Sequence, residues 1–133
     1  MSMMMANTYE KYRQQGVLTA SSLDLIVMLY DGCIKQLKIS KAAMEGKHFE
    51  KANNSIKRAQ DIISELIRSL DLSFTISKDL MSLYEFMIQE MIRINMEKDI
   101  AGVQPLLEML EGLRDAWSTI RKQQQPVSGL YGD

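Results

Sequence analysis

A chain of 133 residues with 46% hydrophobic and 25% charged residues has the size and apolar content of one globular domain built on one core. A formal net charge of -1 gives no general attraction for phosphate backbones or anionic lipid, so nucleic acid is not an expected partner. The single cysteine, Cys33, excludes an intramolecular disulfide and every multi-cysteine zinc site, and no apolar run is long enough for membrane insertion.

Met1-Ser-Met-Met-Met-Ala6 is too short for a secretory segment, so a cytosolic location is expected. The two prolines, Pro105 and Pro126, leave long windows open to helix, and the low aromatic content offers little to strands.

Residues 1–20 read as an arm or short cap helix, with Tyr9, Tyr12 and Leu18 among its larger apolar side chains and Gly16 as a break. Ser21 can cap a first long helix, with Asp24 near the positive end of its dipole. That helix should run to about Glu45 and stop at Gly46, a residue suited to a left-handed turn. Its core stripe takes Leu25, Leu29, Ile34, Leu37 and either Ala42 or Met44. Gly32 lies inside it at a cost of roughly 1 kcal/mol relative to alanine, so close approach of another backbone is expected there.

A second helix, from His48 or Phe49 to Leu70, places Phe49, Ala52, Ile56, Ala59, Ile63, Leu66 and Leu70 at alternating steps of three and four. This is the seam of helices that pack at shallow angles. After a connection over residues 71–76, Ser77 can cap a third helix carrying Leu80, Tyr84, Met87, Met91 and Ile94. Residues 95–99 should turn the chain into a fourth helix with Val103, Leu106, Leu110, Leu113, Trp117 and Ile120. Pro105 suits a first helical turn and disfavours a later one, which leaves the start of that helix open. Four seams predict an all-α, antiparallel four-helix bundle over residues 21–122, with a disordered tail over 123–133.

Catalytic equipment is missing from this pattern. Glu45-Gly-Lys-His48 has the spacing of a di-iron ligand pair, but such a site needs two copies and further core glutamates, and His48 is the single histidine. No metal and no cofactor are expected. Cys33 has no imidazole beside it and reads as a small buried hydrophobe. Asp31, Asp61, Glu85 and Asp115 fall mostly off the seams, and Lys35, Lys38 and Lys41 read as a solvated face. Eleven methionines are the compositional oddity; such flexible side chains fill cores, and they also suit surfaces that repack against varied partners.

Taken in order, Tyr9-x-x-Tyr12, Val17-x-Thr19-Ala20-Ser21, Met28-Leu29-Tyr30-Asp31-Gly32, Arg58-Ala59-Gln60-Asp61-Ile62-Ile63, Leu83-Tyr84-Glu85-Phe86 and Leu113-Arg114-Asp115-Ala116-Trp117 resemble the FliS family of flagellar secretion chaperones. The resemblance implies a non-enzymatic bundle that holds the disordered C-terminal region of flagellin, postpones its polymerisation and offers it to the export gate. By motif, Tyr9, Tyr12 and Leu18 would belong to an arm that covers apolar surface, gives way to client and contacts the gate. Met28, Leu29, Ile62, Leu66, Tyr84, Met87 and Met91 are the expected groove, each with plain core packing as its alternative. A bundle serving as adaptor or regulator for another protein is the competing reading, a cofactor-bearing bundle enzyme a remoter one, and a homodimer stays open.

Overall fold

The computed structural model describes residues 22–123, which form four helices: α1 (Ser22–Glu45), α2 (Phe49–Arg68), α3 (Thr75–Glu97) and α4 (Ile100–Gln123). No strand occurs among the described residues. The expected arm with Tyr9, Tyr12 and Leu18, and the Ser21 cap, lie outside them.

Side-chain pairing fixes the helix directions. Between α1 and α2, Ser40 Oγ donates to the Ala52 carbonyl at 3.0 Å and Cys33 Sγ to the Ala59 carbonyl at 3.7 Å. One number falls as the other rises, so the two helices are antiparallel. Between α1 and α4 the same holds step for step: Asp24 meets Arg121 at 3.4 Å, Asp31 meets Arg114 at 2.8 Å, and Lys41 donates to Gln104 at 3.2 Å. Helix α1 thus lies between α2 and α4, α3 packs mainly on α2, and the α3–α4 contact is the thinnest of the four between neighbours.

The seams close on one core. Leu37, Ala52, Ile56, Ala59, Ile63, Met87, Met91, Ile94, Val103 and Leu110 are fully buried, as their three-four spacing predicted. At the end of α1 the choice falls on Met44, which is buried with Ala43, while Ala42 is exposed. Phe49, Ile120 and Ile92 lie at the edges of their stripes and stay partly in water.

Several boundaries differ from the expected ones for local reasons. Helix α1 ends before Gly46, but the left-handed residue is Lys47, with φ of 60°. The His48 N–H reaches back to the Ala43 carbonyl at 2.8 Å and closes that turn, so the glycine is not the residue that bends the chain. Helix α2 stops at Arg68, and α3 begins at Thr75, which leaves Ser77 buried inside the first turn instead of capping it. Only Lys98 and Asp99 separate α3 from α4; Lys98 takes φ of 52° and Asp99 Oδ1 accepts the Gly102 N–H at 3.1 Å. Asp99 is therefore the cap that starts α4, and it places Pro105 in the second turn, beyond its comfortable position. Gly32 meets a side chain, not a backbone: a methyl there would lie 3.4 Å from Ile62 Cδ1.

Candidate functional site

The expected groove residues do not share one exposed face. Met28 is 50% exposed, while Leu29, Ile62, Leu66, Tyr84, Met87 and Met91 are each 5% exposed or less and sit in the core. Burial follows from their positions on or beside the seams, where each side chain faces another helix. Among the described residues, these six are reached by a partner when one helix moves away from its neighbour.

One feature of this core is polar. The Tyr30 hydroxyl of α1 and the Tyr84 hydroxyl of α3 lie 2.5 Å apart, and the Trp117 indole N–H of α4 donates to Tyr30 at 3.2 Å. The two phenol rings are tilted by 54° with centroids 6.4 Å apart, an arrangement favourable for aromatic pairs. Both tyrosines are essentially out of water, at 0% and 2% exposure. Burial pushes both hydroxyls above their ordinary pKa, so the cluster is neutral and hydrogen-bonded at physiological pH. Around it, Arg114 bonds Asp31 at 2.8 Å and Asp115 at 3.1 Å on the surface of the same seam.

Three of the sequence motifs singled out above meet here: Leu29-Tyr30-Asp31-Gly32, Leu83-Tyr84-Glu85-Phe86 and Leu113-Arg114-Asp115-Ala116-Trp117. A fourth joins them through Ile62, which lies against Gly32. The sequence pattern puts Tyr84 and Trp117 on seams but leaves Tyr30 off the α1 stripe, which it runs through Leu29. The signal was present: Tyr30, Ile34 and Leu37 continue one another at steps of four and three.

Apolar side chains do reach the surface elsewhere. Leu72, Phe74 and Ile76 precede or open α3, Phe86 and Met96 lie farther along it, and Met28 projects from α1. A second region, an open groove of about 650 Å³, runs beside α1 and the start of α2, with Ile39, Phe49, Lys51 and Arg58 in its walls. None of the expected groove residues lines it.

The remaining candidates behave as isolated groups. Cys33 is buried, and burial pushes its thiol far above the ordinary range, so it is a packing residue and not a nucleophile in this fold. His48 stands exposed at the start of α2 and makes no side-chain cap. Among the described residues no group of three His, Cys, Asp or Glu side chains converges as a metal site would require, and no helix is long and apolar enough to cross a membrane. Arg93 draws Glu90, Glu97 and Asp99 around it at 3.0–3.1 Å, which ties the end of α3 to the cap of α4.

Comparison with known proteins agrees with this architecture. Residues 5–124 match the sequence model of the family described as Flagellar protein FliS. The chain is 30% identical, over 98% of its own length and 98% of the relative's, to the Flagellar secretion chaperone FliS of Bacillus subtilis (strain 168). It is 27% identical to the protein of the same name from Escherichia coli (strain K12), over 78% of this chain and 79% of that one. A solved structure described as a flagellar chaperone from bacteria superposes with a TM-score of 0.74 at 14% identity, over 89% of this chain and 98% of that chain, and shows the shared fold. An all-α four-helix bundle that carries the motifs in register, together with a family match along nearly its whole length, establishes that the chain belongs to the FliS family of flagellar secretion chaperones.

Proposed function

We propose that the protein binds the disordered C-terminal region of flagellin in the cytosol, prevents its premature polymerisation, and delivers it to the flagellar type III export apparatus. The observation that carries this reading is the family match over residues 5–124. Physical chemistry supports the mode of binding. A bundle of amphipathic helices offers apolar faces, and an unstructured peptide that folds against them exchanges its own ordering entropy for buried area.

Met28 is available to a client as the bundle stands. Leu29, Ile62, Leu66, Tyr84, Met87 and Met91 are proposed as contacts made after helices part. Tyr9, Tyr12 and Leu18 are proposed as the cover that client replaces and as contacts for the export gate, an exchange of similar apolar surfaces.

The test mixes the full chain with a purified C-terminal fragment of flagellin and follows stoichiometry by sedimentation and helix content by circular dichroism. A one-to-one complex with a gain of helix beyond the sum of the parts is expected. No association at micromolar concentrations would defeat the assignment of client.

A further inference from the structure

Helices α3 and α4 are consecutive, yet theirs is the thinnest of the four contacts between neighbouring helices. At one end they are joined by the Lys98–Asp99 connection and by the Arg93–Asp99 ion pair at 3.1 Å. Toward the other end, their polar link is indirect: Tyr84 of α3 and Trp117 of α4 both bond to the Tyr30 hydroxyl of α1. Tyr84 stands about fourteen residues before the connection and Trp117 about eighteen after it, roughly 20 to 27 Å along the helix axes. Below this link lie Met87 and Met91 of α3 and Leu110 of α4, all fully buried.

The link also has a donor to spare. Tyr30, Tyr84 and Trp117 bring three donor hydrogens, and the two hydrogen bonds among them use two. Whichever phenol donates to the other, one O–H is left over from these two bonds. That O–H is free to meet water or a partner's carbonyl once the seam opens. Helix α3 meanwhile retains its own attachment to α2, where Lys98 also donates to Asn53 at 3.2 Å.

We infer that Tyr30, Tyr84 and Trp117 form a latch across the α3–α4 seam, which opens from the end away from the Lys98–Asp99 connection while α3 stays docked on α2. Opening uncovers Met87, Met91 and Leu110, apolar side chains that the closed bundle hides. That a client enters by this route rests on the chaperone reading above; the opening itself does not.

Hydrogen–deuterium exchange on the full chain without client tests the latch. Tyr84→Phe removes one hydroxyl and should speed exchange roughly 2- to 10-fold in residues 80–91 of α3 and 107–119 of α4, the range set by loss of one net hydrogen bond. Amides of α1 around Cys33 and Ser40 and of α2 around Ala52 should keep their rates. Trp117→Phe, at a half-buried position, gives the same readout if the first variant does not fold. Acceleration spread evenly over all four helices would show an ordinary loss of core stability and overturn the latch, as would no acceleration at all. Stopped-flow binding of a flagellin C-terminal fragment adds the second arm: the association rate should rise in both variants by a factor similar to the exchange effect. An unchanged rate overturns the latch as the way in. Absence of any binding to the unaltered chain overturns the chaperone reading and leaves the exchange result standing.

Discussion

Met28 and Met91 are the same residue type in opposite settings, and replacing each with alanine separates core from surface. Met91 is fully buried on the α3 seam. Truncation removes three heavy atoms from that site, worth about 2.4 kcal/mol at about 0.8 kcal/mol per buried methylene-sized group. The cavity left behind adds to this, and measured losses for such changes fall at about 2–5 kcal/mol, so about 3 kcal/mol is expected. Met28, at 50% exposure, should lose less than about 1 kcal/mol on the same scale. Urea denaturation followed by far-ultraviolet circular dichroism measures both, with midpoints compared at constant slope. Client titration on the folded variants then asks whether Met28→Ala weakens flagellin binding several-fold despite its small effect on stability. A Met91→Ala cost below about 1 kcal/mol, or a Met28→Ala cost above about 2 kcal/mol, would contradict the burial argument.

Other expectations follow from particular contacts. A methyl at Gly102 would lie 2.6 Å from Asp99 Oδ2 and 3.1 Å from Arg93 Nη2, so Gly102→Ala should displace the Asp99 cap and lower stability by about 1 kcal/mol, although alanine favours helix. A stabilising effect in a thermal melt would refute that. Tyr30, Tyr84 and Cys33 all have pKa values raised by burial, so they stay neutral in both states at pH 7. Their contribution is intact below the unfolded values, about 8.5 for the thiol and 10 for the phenols, and is lost as pH rises toward the folded ones. The unfolding free energy from urea titrations should hold from pH 7 to 8 and then fall by up to about 1.4 kcal/mol per pH unit per group, and Cys33→Ala should delay the onset. An unchanged midpoint at pH 10.5 would contradict this. Changing Tyr9 and Tyr12 together to alanine should leave the bundle folded while client or gate affinity changes; loss of the fold would place those rings in the core.

The bundle was legible because its information is periodic. Ala52, Ile56, Ala59, Ile63 and Leu66 repeat a seam that no single residue has to carry, and all five are buried. The boundaries depend on single residues and were read less well. Gly46 looked like the left-handed residue, but backbone closure between His48 and Ala43 puts that conformation on Lys47. Ser77 offered a capping side chain, yet Phe74 in extended conformation starts α3 with no side-chain cap. Asp99 gave the opposite case, a cap hidden inside what looked like a longer turn.

For the site, sequence found the motifs but not what they do together. Tyr30, Tyr84 and Trp117 lie 54 and 87 positions apart in their pairings, and no local pattern says that their polar ends converge. Periodicity likewise cannot distinguish an apolar side chain that packs from one that waits for a partner. Met87 and Met91 look the same in sequence under both descriptions, and the structure places them inside.

If apolar side chains of this bundle pass to a flagellin peptide, the methionine methyl groups report on it directly. With those methyls isotopically labelled, titration of the full chain with a flagellin C-terminal fragment should shift Met28 and then Met87 and Met91, while Met44, buried at the far end of α1, keeps its position. A fragment that saturates the protein yet leaves Met28, Met87 and Met91 unmoved would show that client binds without them.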